Sequence, residues 1–161
     1  MNEMFRLWLK ENDWIVELNT NKFDYKENSI LNKYNDIPVS FINILKEYSN
    51  ISSKDDTTWF ICGKDYLDKS DDVFKWNEFE LMSLEAAEED EKWKMEIKNW
   101  GRKKLTFIMS VSGGYSYYAI DLEDNKGTII YGQEPEFEDA NVVAKEFDEF
   151  IDKIVKKEII L

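Results

Sequence analysis

The sequence predicts a single domain in which amphipathic helices accompany an antiparallel β-meander, and three observations carry that expectation. Residues 105–130 read as three strands punctuated by two glycine turns. Residues 37–48 and 143–154 each place five apolar side chains on one helical stripe. The chain has 161 residues, 43% of them hydrophobic and 15% aromatic, which is enough to bury a real core.

The elements follow in order. Met1, Phe5, Trp8 and Leu9 recur at helical spacing, and residues 14–18 read either as a short strand or as the continuation of that helix. A short helix is expected over about residues 24–33, burying Ile30 and Leu31. Ile37, Phe41, Ile44, Leu45 and Tyr48 fall at i, i+4, i+7, i+8 and i+11, with Pro38 in the first turn and Asp36 near the positive end of the dipole. Residues 49–56 are polar and read as a loop, and residues 57–62 as a short strand rich in β-branched and aromatic side chains. Residues 64–75 read as charged connecting chain, 76–84 as a further strand, and 85–100 as a helix. In that helix the acids precede Lys92, Lys94 and Lys98, as the dipole prefers. Trp93, Ile97 and Trp100 form its narrow apolar stripe, and Gly101 ends it before Arg102, Lys103 and Lys104.

The meander comes next. Leu105, Phe107, Met109 and Val111 alternate with other residues as a half-buried strand would. Gly113 and Gly114 supply a tight turn, and residues 116–122 resume the alternation. Asp124, Asn125 and Gly127 close a second turn onto residues 128–131. Val143, Phe147, Phe150, Ile151 and Ile154 then form the closing helix, with Asp139 and Asn141 as candidate caps.

Composition excludes much chemistry. There is no histidine, so a Ser-His-Asp triad, a Cys-His pair and a His-ligated zinc are absent. Ser112, Gly113 and Gly114 open onto a strand and lack the Lys-Ser/Thr of a phosphate loop. The acids at 88–91 are contiguous, unlike the alternating ligands of a calcium loop. The single cysteine, Cys62, sits in an apolar strand and reads as an inert core thiol. No apolar run approaches the ~18 residues of a membrane-spanning helix. The first residues do not resemble a secretory signal, so the expected compartment is the cytoplasm.

Charge gives the positive lead. Asp and Glu total 34 against 21 Lys and Arg, a net charge of −13. Such a surface repels phosphate backbones, which makes nucleic acid a poor ligand, and attracts basic proteins. The acids also cluster: Glu78, Glu80, Glu85, Glu88, Glu89, Asp90 and Glu91 are interrupted by no Lys or Arg. Glu134, Glu136, Glu138 and Asp139 form a second group, with Phe79, Tyr131 and Phe137 as neighbouring aromatics. An ordinary solvated surface accounts for these acids equally well on composition alone.

The order of these elements resembles the SUKH superfamily, which includes the Smi/Knr-type regulators of fungal cell-wall assembly and many bacterial immunity proteins. The pieces that carry the likeness are the helix opening Ile37-Pro38 with Phe41, Ile44, Leu45 and Tyr48, the acidic segment led by Trp76, the hairpin from Gly114 to Asp121, the strand at Ile129 and Ile130, and the closing helix with Ala144, Phe147, Phe150 and Ile154. It covers about residues 25–156 within a single domain spanning 1–161. Two departures are the Ser49, Asn50 and Ile51 that follow the first of these helices in place of a glycine turn, and a longer insert at 85–102.

The resemblance implies an α+β fold: a twisted, mostly antiparallel sheet flanked by helices, with the C-terminal helix packed across it. It implies no catalysis, and a protein that binds and neutralises a cognate toxin domain, a nuclease among the expected kinds. No cofactor is expected, and an unpaired sheet edge leaves a monomer or weak homodimer as the expected state. The alternative is a non-catalytic adaptor like the fungal relatives; a carboxylate-dependent enzyme is the least favoured reading. With the resemblance, the candidate partner-binding residues are Glu85, Glu88, Glu89, Asp90, Glu91, Glu134, Glu136, Phe137, Glu138 and Asp139. Neither a membrane nor a nucleic acid is an expected partner.

Overall fold

Seven strands follow one another across a single antiparallel sheet in the computed structural model, each hydrogen-bonded to the next in sequence. The structure describes residues 3–20, 29–67, 74–123 and 126–161. The strands are β1 (Ile15–Leu18), β2 (Tyr48–Ser52), β3 (Thr58–Phe60), β4 (Lys104–Ser110), β5 (Ser116–Asp121), β6 (Thr128–Gln133) and β7 (Asn141–Ala144). The helices are α1 (Glu3–Glu11), α2 (Val39–Glu47), α3 (Glu78–Ala86), α4 (Glu91–Gly101) and α5 (Phe147–Val155). The architecture is α+β, with the C-terminal helix packed against the sheet as expected.

Helices cover both faces of the sheet. Successive strand residues point to opposite sides. On one side, Tyr118 meets Phe150 of α5 with ring centroids 5.0 Å apart. On the other, Tyr117 meets Trp100 of α4 at 5.8 Å and Phe79 of α3 at 6.0 Å. The middle strands are therefore buried on both faces, and the expected half-buried alternation of β4 gives way to a run in which Leu105, Phe107, Ile108 and Met109 are all 0% exposed.

The α5 side is organised around Phe107. The pairing of β4 with β5 shifts register between Thr106 and Ile108, so Phe107 lies at an irregularity in the ladder. Its ring lies 5.7 Å from Phe41 of α2, 5.2 Å from Phe147 and 5.3 Å from Phe150. The stripes expected for α2 and α5 are the residues buried here: Phe41, Ile44, Leu45, Phe147, Phe150, Ile151 and Ile154. α1 joins through Phe5, stacked on Trp8 and 5.9 Å from Phe60. Arg6 of α1 is also ion-paired with Glu47 at the end of α2.

Several elements differ from expectation. The polar stretch after α2 is strand β2, because Asn19 satisfies the end of α2 and frees the chain to turn at Tyr48. The Asn19 amide donates to the carbonyls of Leu45, Lys46 and Tyr48 at 3.0–3.1 Å. Residues 15–18 are a strand, not a continuation of the first helix, and pair with β2. The segment from Trp76 is helical: Phe79 and Ser83, four apart, turn inward while Leu81 faces out. The long helix expected over 85–100 is two, broken where Glu88 adopts φ +41°. Asp90 opens the second by accepting a bond from the Trp93 N–H at 2.9 Å.

At the C-terminal end Val143 belongs to β7, so neither Asp139 nor Asn141 caps α5. The N-cap is Glu146, which makes no side-chain cap bond, and the Glu149 carboxylate reaches back to accept the Lys145 N–H at 2.7 Å. That bond and the neighbouring Lys153 ammonium hold the Glu149 carboxyl below the usual range. Pro38 is the N-cap of α2 rather than a residue of its first turn. Ile30 and Leu31 are buried as expected, in a 3-10 turn over Ile30–Lys33; residues 24–28 of that expected helix lie outside the described residues, as do Met1, Asp124 and Asn125. The connecting chain contains a second 3-10 turn, Gly63–Tyr66, that buries Tyr66 completely and lets its hydroxyl donate to the Thr106 carbonyl at 2.6 Å. Cys62, just before it, is buried, and burial pushes its thiol up to about 12, which fits an inert thiol. Gly113 and Gly114 both have positive φ, and a side chain at 114 would meet the Glu134 carboxylate at 2.9 Å.

An ion pair lies inside the molecule. Lys104 and Asp121 face each other across β4 and β5, with Nζ and Oδ2 2.8 Å apart and side chains 8% and 3% exposed. Asp121 also accepts the Glu123 N–H through Oδ1. Removing Asp121 takes this carboxylate away from a buried ammonium, so Asp121→Ala is expected to lower the unfolding free energy by about 3–5 kcal/mol in urea titrations. The double variant Lys104→Met/Asp121→Leu should recover most of that loss. A single-variant loss below about 1 kcal/mol would show that the pair is dispensable.

Candidate functional site

The candidate surface is built where α3, the α3–α4 turn and the loop after β6 meet the sheet. Its anchor is aromatic. Phe137 turns back under the loop and stacks on Phe79 of α3, with centroids 4.8 Å apart and planes 12° from parallel. Tyr117 lies beneath both rings, and its hydroxyl donates to the Phe137 carbonyl at 2.5 Å. Burial pushes the Tyr117 phenol up, so it remains a donor.

The ten expected contact residues separate into groups. Glu134, Glu136 and Asp139 are exposed along the loop and line a shallow cleft of about 210 Å³ with Tyr131, Pro135 and Asn141. Glu138 is half-buried. Glu85, Glu88, Glu89, Asp90 and Glu91 are exposed at the opposite end of α3. Two of these already have local partners: Asp90 caps α4, and Glu91 pairs with Lys94 at 3.0 Å. Phe137 corrects the expectation of a surface aromatic, being 6% exposed because Phe79 and Tyr117 take up its ring. Phe79 is buried for the same reason, and Tyr131 alone of the three neighbouring aromatics is half-exposed.

Glu80 links the two acidic groups. It stands on the first turn of α3, against Gly101 and close enough to Glu138 to feel its charge. Burial raises the Glu80 carboxyl above its ordinary value of 4.5 and Glu138 adds to this, while Asn77 and Lys98 oppose it. The sequence places Glu80 among the seven clustered acids but gives no sign that it is half-buried, because that depends on α4 folding back beside α3.

Among the described residues, no three His, Cys, Asp or Glu side chains are gathered as metal ligands would be. Among the same residues, no helix is long and apolar enough to cross a membrane.

The sequence model of the SMI1 / KNR4 family (SUKH-1) matches residues 28–153. The chain belongs to this family. Comparison with curated proteins and with solved structures yields no match. The SUKH-1 match spans α2 through most of α5, so it includes every candidate contact residue and all of the aromatic anchor beneath them.

The raised Glu80 carboxyl has a pH signature. Glu80 is harder to ionise in the folded SUKH-1 domain than in the unfolded chain. Its contribution therefore favours folding most below the ordinary pKa of 4.5 and is lost as pH rises through the raised native value. Glu80→Gln removes that loss. The variant is expected to be more stable than the parent at about pH 7, with the difference shrinking toward about pH 4, in urea titrations across that range. A difference independent of pH would show that Glu80 ionises as freely in the fold as outside it.

Proposed function

We propose that this SUKH-1 domain is an immunity protein that binds a cognate polymorphic toxin domain, a nuclease being the favoured kind, and occludes its active site without covalent chemistry. The observation that supports this most is membership of a family that includes immunity proteins. The surface supplies a physical means. Glu85, Glu88, Glu89, Glu134, Glu136 and Asp139 are exposed on a chain of net charge −13. Nuclease active sites engage phosphates and are basic, so an acidic surface imitates the charge of their substrate. On this reading the protein acts in the cytoplasm of the cell that makes the toxin and catalyses no reaction. The partner-facing side chains are the exposed acids, while Phe137 fixes the loop from beneath.

Attraction between opposite net charges accelerates encounter and is screened by salt. The association rate with the toxin domain encoded beside this chain is expected to fall about tenfold or more between low and high salt, measured by stopped flow. Glu88→Lys/Glu89→Lys/Glu91→Lys leaves the Asp90 cap in place. It should weaken the complex by about tenfold to a hundredfold while changing unfolding free energy by less than about 1 kcal/mol. Co-expression should restore growth to cells making the toxin domain. Unchanged affinity in the triple variant would remove the α3–α4 turn from the interface, and failure to rescue growth would overturn the immunity reading.

A further inference from the structure

A second concave site lies on the α5 side of the sheet and shares Tyr131 with the cleft of the acidic loop. It is a cleft of about 620 Å³, within the range of small-molecule sites. One bank is Trp8, Asn12 and Trp14, from the end of α1 and the turn into β1. The other is the segment after α5, turned back at Lys157, where φ is +60° and the Glu158 N–H bonds to the Lys153 carbonyl at 2.8 Å.

Its floor is a row of hydroxyls. Thr58 of β3 and Ser110 of β4 share a hydrogen bond of 2.8 Å, and Ser110 stands directly opposite Ser116 of β5. Ser53, Thr57 and Ser112 add hydroxyls to the lining. Aromatic rings flank the row and are fixed by packing. Trp14 is held 5.7 Å from Trp8 and 5.9 Å from Phe60, and Tyr118 lies 5.0 Å from both Tyr131 and Phe150.

The charge of this cleft sets it apart. Charged residues make up 34% of the chain, yet among the described residues the charged side chains in this lining are Asp55 and Lys157, one of each sign. Asp55 is engaged within its own turn, with Oδ1 accepting from the Ser53 hydroxyl at 2.6 Å and the Thr57 hydroxyl at 2.9 Å. The cleft therefore offers little to a phosphate or to a basic peptide. It offers little to an extended backbone either, because β3, β4, β5 and β6 use their ladder groups on one another. What remains is the Thr58–Ser110 pair with the hydroxyls of Ser112 and Ser116, which among the described residues are not taken by another side chain, beside aromatic rings and the aliphatic Ile154, Ile159, Ile160 and Leu161. That combination is complementary to a sugar, whose hydroxyls need both roles and whose C–H faces stack on aromatics.

We propose that this cleft binds a neutral oligosaccharide of roughly two or three rings. The site is independent of the toxin-binding reading and stands or falls separately from it.

The test is titration of the intact protein with cellotriose, maltotriose and tri-N-acetylchitotriose, and with trigalacturonate as the charged counterpart, followed by tryptophan fluorescence and amide NMR. At least one neutral sugar is expected to give a saturable response below about 10 mM, centred on Trp14 and the ends of β3 to β5. Ser116→Ala and Ser112→Ala, which leave the backbone and the aromatic packing in place, should each weaken it about threefold to tenfold. Ser83→Ala, on α3, should leave it unchanged and serves as the control. Three results would overturn the proposal: no saturable response to any neutral sugar, equal binding of trigalacturonate, or binding indifferent to both cleft variants.

Discussion

The position of the acidic surface depends on how Tyr117 is buried. Its ring lies across β5 onto Gly132 of β6, where an added Cβ would come within 2.4 Å of the ring. Only glycine leaves room for it there. The ring then meets Phe79, Trp100 and Phe137, one from each of α3, α4 and the loop after β6, and the hydroxyl closes onto the Phe137 carbonyl. Burying an aromatic of this size contributes about 2–3 kcal/mol, and the hydrogen bond about 1 kcal/mol more. Short helices such as α3 and α4 are marginal in isolation, so contacts of this size decide whether the second helical layer holds its place. Exposed carboxylates gain a defined arrangement only because the residues between them are pinned from below.

How much of this was legible in the sequence follows from what each residue must satisfy. In α5 the stripe of Phe147, Phe150, Ile151 and Ile154 turns one side to the sheet, α1 and α2 and leaves a polar side outward, so its period is visible. The hairpins around Gly114 and Gly127 announce themselves through residues that tolerate positive φ. β2 offers no such mark. Ser49, Asn50 and Ser52 are polar, and they are extended because Tyr48 leaves α2 directly into a slot between β1 and β3. α3 misleads for the opposite reason. Its helical face packs through only Phe79 and Ser83, while Met82 and Leu84 sit part-way, so neither period dominates. Tertiary packing overrides local pattern in both places.

The candidate sites follow the same division. That the acids would be exposed was readable, because carboxylates are seldom buried without partners. That Phe137 would be buried among them was not, since its burial requires Phe79, fifty-eight positions earlier in the chain, to stack on it. The hydroxyl row was still less visible. Thr58, Ser110 and Ser116 come from three strands, and each by itself looks like an ordinary polar residue in a strand.

The two sites also divide the charge of the molecule between them. The first site gathers exposed acids from the α3–α4 turn and the loop after β6, and beside them Glu80 and Glu138 repel each other enough to help hold Glu80 away from free ionisation. The cleft on the α5 side is nearly free of charge, although the chain as a whole is strongly negative. Self-repulsion at −13 favours spreading carboxylates over every solvated surface, so a concavity whose charged side chains, among the described residues, are one acid and one base is not what solubility alone would select. Nor does core packing require it, because Ser112 is exposed and Ser110, Ser116 and Tyr131 are half-exposed. Low charge and hydroxyls beside aromatic rings are the features by which this cleft fits the neutral oligosaccharide proposed for it.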